Sequence, residues 1–337
     1  MSHISRRGLL YGAGLSVATA SGVLGAGRAF ADTIEDTPRF DLATDAIRTE
    51  LFEKPLTSVT VMQSFAFDDT RSHVYIAQLM DSNGGGGDHN KQGDLCVNRT
   101  GPDGRATGSM YLRGFGHGVG LAVEPDGDGA FIWLEGDAHD TGGDFTFGRK
   151  IVRVRFSDGG DTSYADVPEA DRFDPVPGAE ALTPSIDLEY GRLAVKYNEG
   201  GTVKFRVFGL EDFKAKKFDA IAAFDKPDEV ANGVYFQGWA LFGRYLYALE
   251  GSNWGSQGSV YPDGNVYLSC IDIETGEVMQ RAITRAAKFF EYREPEGLAV
   301  RRHSPGDPLS AVIHFGLASG NVGDRRATLY TKPAFVD

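Results

Sequence analysis

Gln237-Gly-Trp-Ala-Leu-Phe242, a Gly-Arg turn, then Tyr245-Leu-Tyr-Ala-Leu-Glu250: these fourteen residues decide the fold. Two six-residue apolar and aromatic runs joined by two turn residues read as an antiparallel hairpin. A polar residue opens the first run, and a Gly-rich polar loop, residues 251–264, follows the second. The same unit recurs along the chain. Gln63-Ser-Phe-Ala-Phe-Asp68 precedes His73-Val-Tyr-Ile-Ala-Gln78, and His117-Gly-Val-Gly-Leu-Ala-Val123 precedes Ala130-Phe-Ile-Trp-Leu-Glu135. Ser185-Ile-Asp-Leu-Glu-Tyr190 precedes Arg192-Leu-Ala-Val-Lys-Tyr197, and Glu296-Gly-Leu-Ala-Val300 precedes Ala311-Val-Ile-His-Phe315. The starts are 54, 68, 52 and 59 residues apart. Each interval has room for two more strands, residues 94–98 and 106–112 in the first unit, 150–156 and 161–164 in the second. The expectation is an all-β, five-bladed β-propeller with four-stranded antiparallel blades. The last unit is one strand short, and residues 40–52 are expected to supply it, closing the ring and covering the edges of the first and last blades.

Working outward, residues 1–31 read as a cleavable twin-arginine export signal. Arg6-Arg7 precede a Gly/Ala-rich stretch that ends in Ala29-Phe30-Ala31. Residues 32–337 are then one propeller domain, acting outside the cytoplasm with no membrane insertion after cleavage, and monomeric. Setting aside the leader's Arg6, Arg7 and Arg28 leaves 31 of the 34 basic residues against 47 acids, a net charge of −16. Such a field repels polyanions, and no basic stripe interleaved with aromatics marks a nucleic-acid site. Cys96 and Cys270 lie in apolar runs far apart and read as buried thiols rather than a disulfide.

Propeller topology brings the starts of the first strands, the ends of the second strands and the loops after them to one mouth. The loops at 80–93, 136–148, 198–201, 251–264 and 316–326 are the expected carriers of function. The ring nearest the axis is Gln63, His117, Ser185, Gln237 and Glu296, with Glu135, Lys196, Tyr197, Glu250 and His314 around it, and Asn253, Trp254, Tyr261 and Arg325 on loops. These residue types suit β-elimination on a uronic-acid polymer, which needs a base, donors for the carboxylate and an acid for the leaving oxygen. His117 is the expected base and Tyr197 or Tyr245 the acid. Lys196, with Gln63 and Gln237, neutralises the carboxylate. Glu135, Glu250, Glu296, Asn253 and Trp254 complete the expected sugar-binding set. The alternatives are a non-catalytic glycan-binding propeller and a glycoside hydrolase built on a pair among Glu135, Glu250 and Glu296. No cofactor is required. A divalent cation on Asp88, His89, His117, Asp137, His139 and Asp140 is a further alternative, although their spacing matches no ligand motif.

Val61-Met-Gln-Ser-Phe-Ala-Phe, Gly93-Asp-Leu-Cys-Val, Met110-Tyr-Leu-Arg-Gly-Phe-Gly-His-Gly and Gln237-Gly-Trp-Ala-Leu carry a resemblance that spans nearly all of residues 32–337. The chain resembles the β-propeller domain shared by teichoic acid biosynthesis protein C-like proteins and phage tail receptor-binding proteins. The resemblance implies a five-bladed propeller and a partner among extracellular polysaccharides or cell-wall glycans, and it assigns no catalytic residue. Carried on an exported chain, the domain is expected to degrade such a glycan.

Overall fold

The computed structural model describes residues 34–81, 87–140, 142–143 and 145–336. The export signal expected at 1–31 lies outside them. Strand β1 (Arg48–Pro55) is followed by blade 1, formed of β2 (Met62–Asp68), β3 (His73–Leu79), β4 (Leu95–Thr100) and β5 (Ala106–Arg113). Blade 2 begins with β6 (Ala122–Asp126), β7 (Gly129–Asp140) and β8 (Thr146–Arg155). Its outer strand is not the expected 161–164 segment. Strand β9 (Asp161–Ser163) instead pairs in parallel with β5 as a fifth strand of blade 1, and β10 (Arg172–Phe173) completes blade 2. Blade 3 is β11 (Glu180–Asp187), β12 (Arg192–Glu199), β13 (Thr202–Gly209) and β14 (Ala222–Asp225). Blade 4 is β15 (Phe236–Phe242), β16 (Tyr245–Glu250), β17 (Tyr267–Asp272) and β18 (Val278–Ile283). Blade 5 is β19 (Glu294–Arg302), β20 (Ala311–Asn321) and β21 (Asp324–Lys332), with β1 as its fourth strand.

The ring is therefore closed by the start of the chain. β1 runs antiparallel to β21, with Thr49 opposite Tyr330 and Leu51 opposite Leu329. The expected closure holds, with its strand a few residues later than residues 40–52. Phe40 contributes a separate bridge to Phe335, their rings stacked at 4.6 Å, and its N–H donates to Tyr247 Oη at 3.0 Å.

Burial grades outward from the axis. All seven residues of β2 are buried, whereas outer strand β18 keeps none fully buried. Inner strands are covered on both faces and read as continuous apolar runs; outer strands face water on one side. Among the described residues the core falls into five clusters, one per blade junction. Tyr75 and Leu112 meet Ile132 and Val152 between blades 1 and 2. Trp133 and Phe173 meet Leu193 and Phe208 between blades 2 and 3. Phe205 meets Trp239 between blades 3 and 4, Leu249 meets Phe315 between 4 and 5, and Leu329 meets Phe65 between 5 and 1. Each such side chain contributes about 1.5–3 kcal/mol by leaving water. The recurring glycine after the axial residue has a steric cause. A Cβ on Gly238 would sit 2.7 Å from Gly297 Cα, so inner strands β15 and β19 meet with no room for a side chain. Both cysteines are buried free thiols, each pushed up to about 12 by burial.

Candidate functional site

At one end of the axis the inner strands open into a cavity of about 1040 Å³. Its polar lining comes from all five blades: Gln63 on β2, His117 ahead of β6, Lys196 on β12, Gln237 on β15, and Glu294 and Glu296 on β19. Phe145, Phe147, Tyr235, Phe236 and Tyr292 supply aromatic walls, and Phe145 and Tyr235 are exposed at the rim. Depth without water shifts the charges. Burial pushes His117 down to about 4, so the imidazole is neutral at physiological pH. Its Nδ1 has no hydrogen-bond partner among the described residues, and its ring packs against Phe145 and Phe147 at 4.6 and 5.2 Å. Burial draws Lys196 down to about 8 against the opposing pull of Glu135. The Lys196 ammonium lies 5.5 Å above the Phe236 ring. Glu294 accepts from Gln237 Nε2 at 2.8 Å and Tyr292 Oη at 2.7 Å. Glu296 is 5 % exposed, and its Oε2 has no hydrogen-bond partner among the described residues. Burial, reinforced by Glu294, holds its carboxyl well above the usual carboxylate range.

Six of the residues expected at the mouth thus converge: Gln63, His117, Lys196, Gln237, Glu296 and Arg325. The others lie elsewhere. Tyr197 follows Lys196 on β12 and so points to the opposite face. It is buried in the junction between blades 2 and 3, with Arg206 5.4 Å from its ring. Glu135 lies fully buried beneath the mouth. Its Oε1 accepts from the backbone N–H of His117 at 3.0 Å and Gly118 at 2.6 Å, and its Oε2 from Gly148. It fastens the His117 segment to β8, and burial pushes its carboxyl up to about 7. Glu250 is sealed by Arg281 at 2.9 Å, the Ala231 N–H at 2.8 Å and the Ser269 hydroxyl. The Glu pairs expected for hydrolysis are therefore not assembled. Trp254 Nε1 donates to the Phe290 carbonyl at 2.8 Å, in the segment between β18 and β19, and Asn253 donates to the Trp254 carbonyl at 3.4 Å; neither lines the cavity. Ser185 is not at the mouth, because β11 starts at Glu180 and carries it toward the opposite end. There its hydroxyl accepts from the Leu241 N–H at 2.9 Å.

Three of the residues weighed as cation ligands are engaged locally. Asp88 caps the short helix α1 (His89–Gln92), His89 Nδ1 meets Asp94 at 2.9 Å, and Asp137 pairs with Arg149 at 3.0 Å. Among the described residues no group of three or more His, Cys, Asp or Glu is disposed to hold a metal ion. Sequence reasoning missed Glu294, Tyr292, Phe145, Phe147, Tyr235 and Phe236. Glu294 had a usable signal: it stands two residues before Glu296, the spacing that shares a strand face.

Residues 61–331 match the model of the family described as the phage 5-bladed β-propeller receptor-binding platform domain. The chain belongs to that family. A Bacillus subtilis (strain 168) protein that carries the name major teichoic acid biosynthesis protein C is 26% identical over 280 residues, covering 80% of this chain and 59% of that protein. The tail fiber of Staphylococcus aureus phage P68 superposes with a TM-score of 0.65 at 21% identity, over 86% of this chain and 52% of the fiber chain. The chain therefore spans little more than half the length of these relatives, and what is shared with them is the propeller platform. No helix among the described residues is long and apolar enough to cross a membrane.

Proposed function

We propose that this propeller is an extracytoplasmic receptor for a cell-surface glycan, bound at the axial mouth. The observation that carries it is the cavity itself: polar groups from five blades, two of them (His117 Nδ1 and Glu296 Oε2) without partners among the described residues, beneath exposed aromatic rings. Aromatic faces stack on the apolar face of a sugar, while amides, carboxyls and amines read its hydroxyls. The receptor-binding description of the family, and the teichoic acid and tail-fiber names of its relatives, support a wall polymer as the partner. Residues 1–31 as a twin-arginine signal and 32–337 as one exported, monomeric domain belong to the same proposal. The test is calorimetric titration with a panel of wall teichoic acids and uronic-acid polymers. Binding of a panel member that falls at least tenfold in Lys196→Met is expected. Unchanged binding in that variant would overturn the mouth as the site.

Lyase chemistry is a second reading, favoured by the neutral, unbonded His117 Nδ1 beside Lys196 in one cavity. His117 would take the proton α to the uronate carboxylate as the C–O bond to the leaving sugar breaks. Tyr197 cannot serve as the acid from its buried side of β12; Tyr292 and Tyr235 are the phenols that line the cavity among the described residues. New ultraviolet absorbance from an unsaturated uronate, lost in His117→Ala, supports it; binding without product rules it out.

A further inference from the structure

The mouth is asymmetric in its charges, and one wall is short of donors. Glu294 and Glu296 stand two apart on β19 and line the same cavity. Glu294 has one donor on each oxygen, from Gln237 and Tyr292. Glu296, nineteen-twentieths buried, has an Oε2 with none. This is unlike the buried carboxylates just outside the cavity: Glu135 takes three backbone N–H groups, and Glu250 takes a guanidinium, a hydroxyl and an N–H. A buried acceptor left unmade is costly, and two nearby carboxyls cannot both ionise cheaply. The cations facing this wall do not settle it. Arg325 lies 3.4 Å over the Tyr292 ring and donates to the Gly320 carbonyl, and Lys196 lies over Phe236. A ligand hydroxyl would bring one donor and no charge. An ammonium brings three donors and a positive charge, and the Tyr292 and Tyr235 rings add a surface that cations favour.

We propose that the Glu294–Glu296 wall is a subsite for a protonated amino group, so that the ligand class is a glycan bearing a primary amine. The inference rests on the mouth being a saccharide site and narrows what it takes. In the empty site Glu296 keeps its proton. When the ammonium seats, the O–H bond breaks, the proton leaves to solvent, and the carboxylate and ammonium balance in charge.

The test is titration at pH 7 with 2-aminoethyl β-glucoside and its N-acetylated counterpart, in two buffers of different ionisation enthalpy. The amine is expected to bind at least tenfold tighter than the acetamide, with net proton release that the acetamide lacks. In E296Q, and separately in E294Q, the preference is expected to vanish and, in E296Q, the proton release with it; melting temperatures no lower than the wild type's exclude misfolding. Equal affinities in the wild type would overturn the amine subsite while leaving the glycan reading intact. A preference that survives both substitutions would also overturn it, since it would be attraction to the acidic surface alone. Binding of neither glycoside would overturn the amine subsite, and the wall-polymer panel then decides the mouth separately.

Discussion

Three buried acids at the two ends of the axis are treated in opposite ways: Asp68 and Asp187 at one end, Glu296 at the mouth. Asp68 and Asp187 end inner strands β2 and β11 and face the far opening. Asp68 accepts from the Thr70 and Arg71 N–H groups at 3.0 and 3.1 Å and pairs with the Arg71 guanidinium at 2.8 Å. Asp187 accepts from the N–H groups of Glu189, Tyr190 and, across the junction, Gly243. Each folds its own chain into a side-chain-closed turn. At the mouth, Glu296, two residues into β19, has an oxygen unmet and His117 a bare ring nitrogen among the described residues. Desolvation is common to both ends, since burial lifts Asp187 to about 6 as well. What differs is the supply of donors. Asp68 and Asp187, supplied with donors, hold their turns; Asp69 nearby leaves Oδ1 unmet but takes Arg302 on Oδ2, whereas Glu296 has no arginine on it among the described residues.

The largest expected effect breaks the saturated end. Asp187→Ala strands three N–H groups and should cost about 2–4 kcal/mol in denaturant unfolding. A loss under about 0.5 kcal/mol, the scatter of surface substitutions, would erase the contrast.

The mouth should respond with the opposite sign. Glu296 titrates above its unfolded value, so its burial is free at low pH, where both states are protonated. The cost then grows as pH rises past the unfolded carboxylate range. Glu296→Gln should match the wild type in stability near pH 4 and exceed it by at least about 1 kcal/mol near pH 7. Thermal melts of the pair across that window decide the matter; a variant less stable at pH 7 would mean Glu296 is structural.

Least affected should be the rim. Tyr235 is half exposed, and its hydroxyl takes a hydrogen bond from Gln257. Tyr235→Ala should weaken glycan binding by about two- to fivefold while leaving stability within about 0.5 kcal/mol. A larger affinity loss than that of Lys196→Met would move the binding centre from floor to rim.

The blades were legible because inner and second strands announce themselves as short apolar pairs with a fixed polar opening. Strand β10 was not: two residues carry no periodicity, and the better-looking 161–163 run crossed to blade 1. Ser185 was misplaced because β11 begins earlier with an irregular step, Ala181 at φ +53° followed by Thr183-Pro184, so that the apolar run starts late. Tyr197 could have been excluded on sequence grounds, since neighbours on one strand cannot both face the mouth. Glu135 could not. Only the folded path of the His117 and Gly148 backbones shows that its oxygens are spent on N–H groups. The aromatic rim was illegible for a related reason: loop residues acquire direction from the blades beneath them.

The clasp between β1 and β21 has a mechanical meaning. Arg48 opens β1 opposite Thr331, near the end of β21, so tension on the two flanking segments meets at the same rung. Pulled apart, the Phe40–Phe335 stack parts first, and the ladder behind it then unzips one rung at a time rather than shearing all at once. The ring that resists solvent on every side has a seam, and a load on both ends together would open it there.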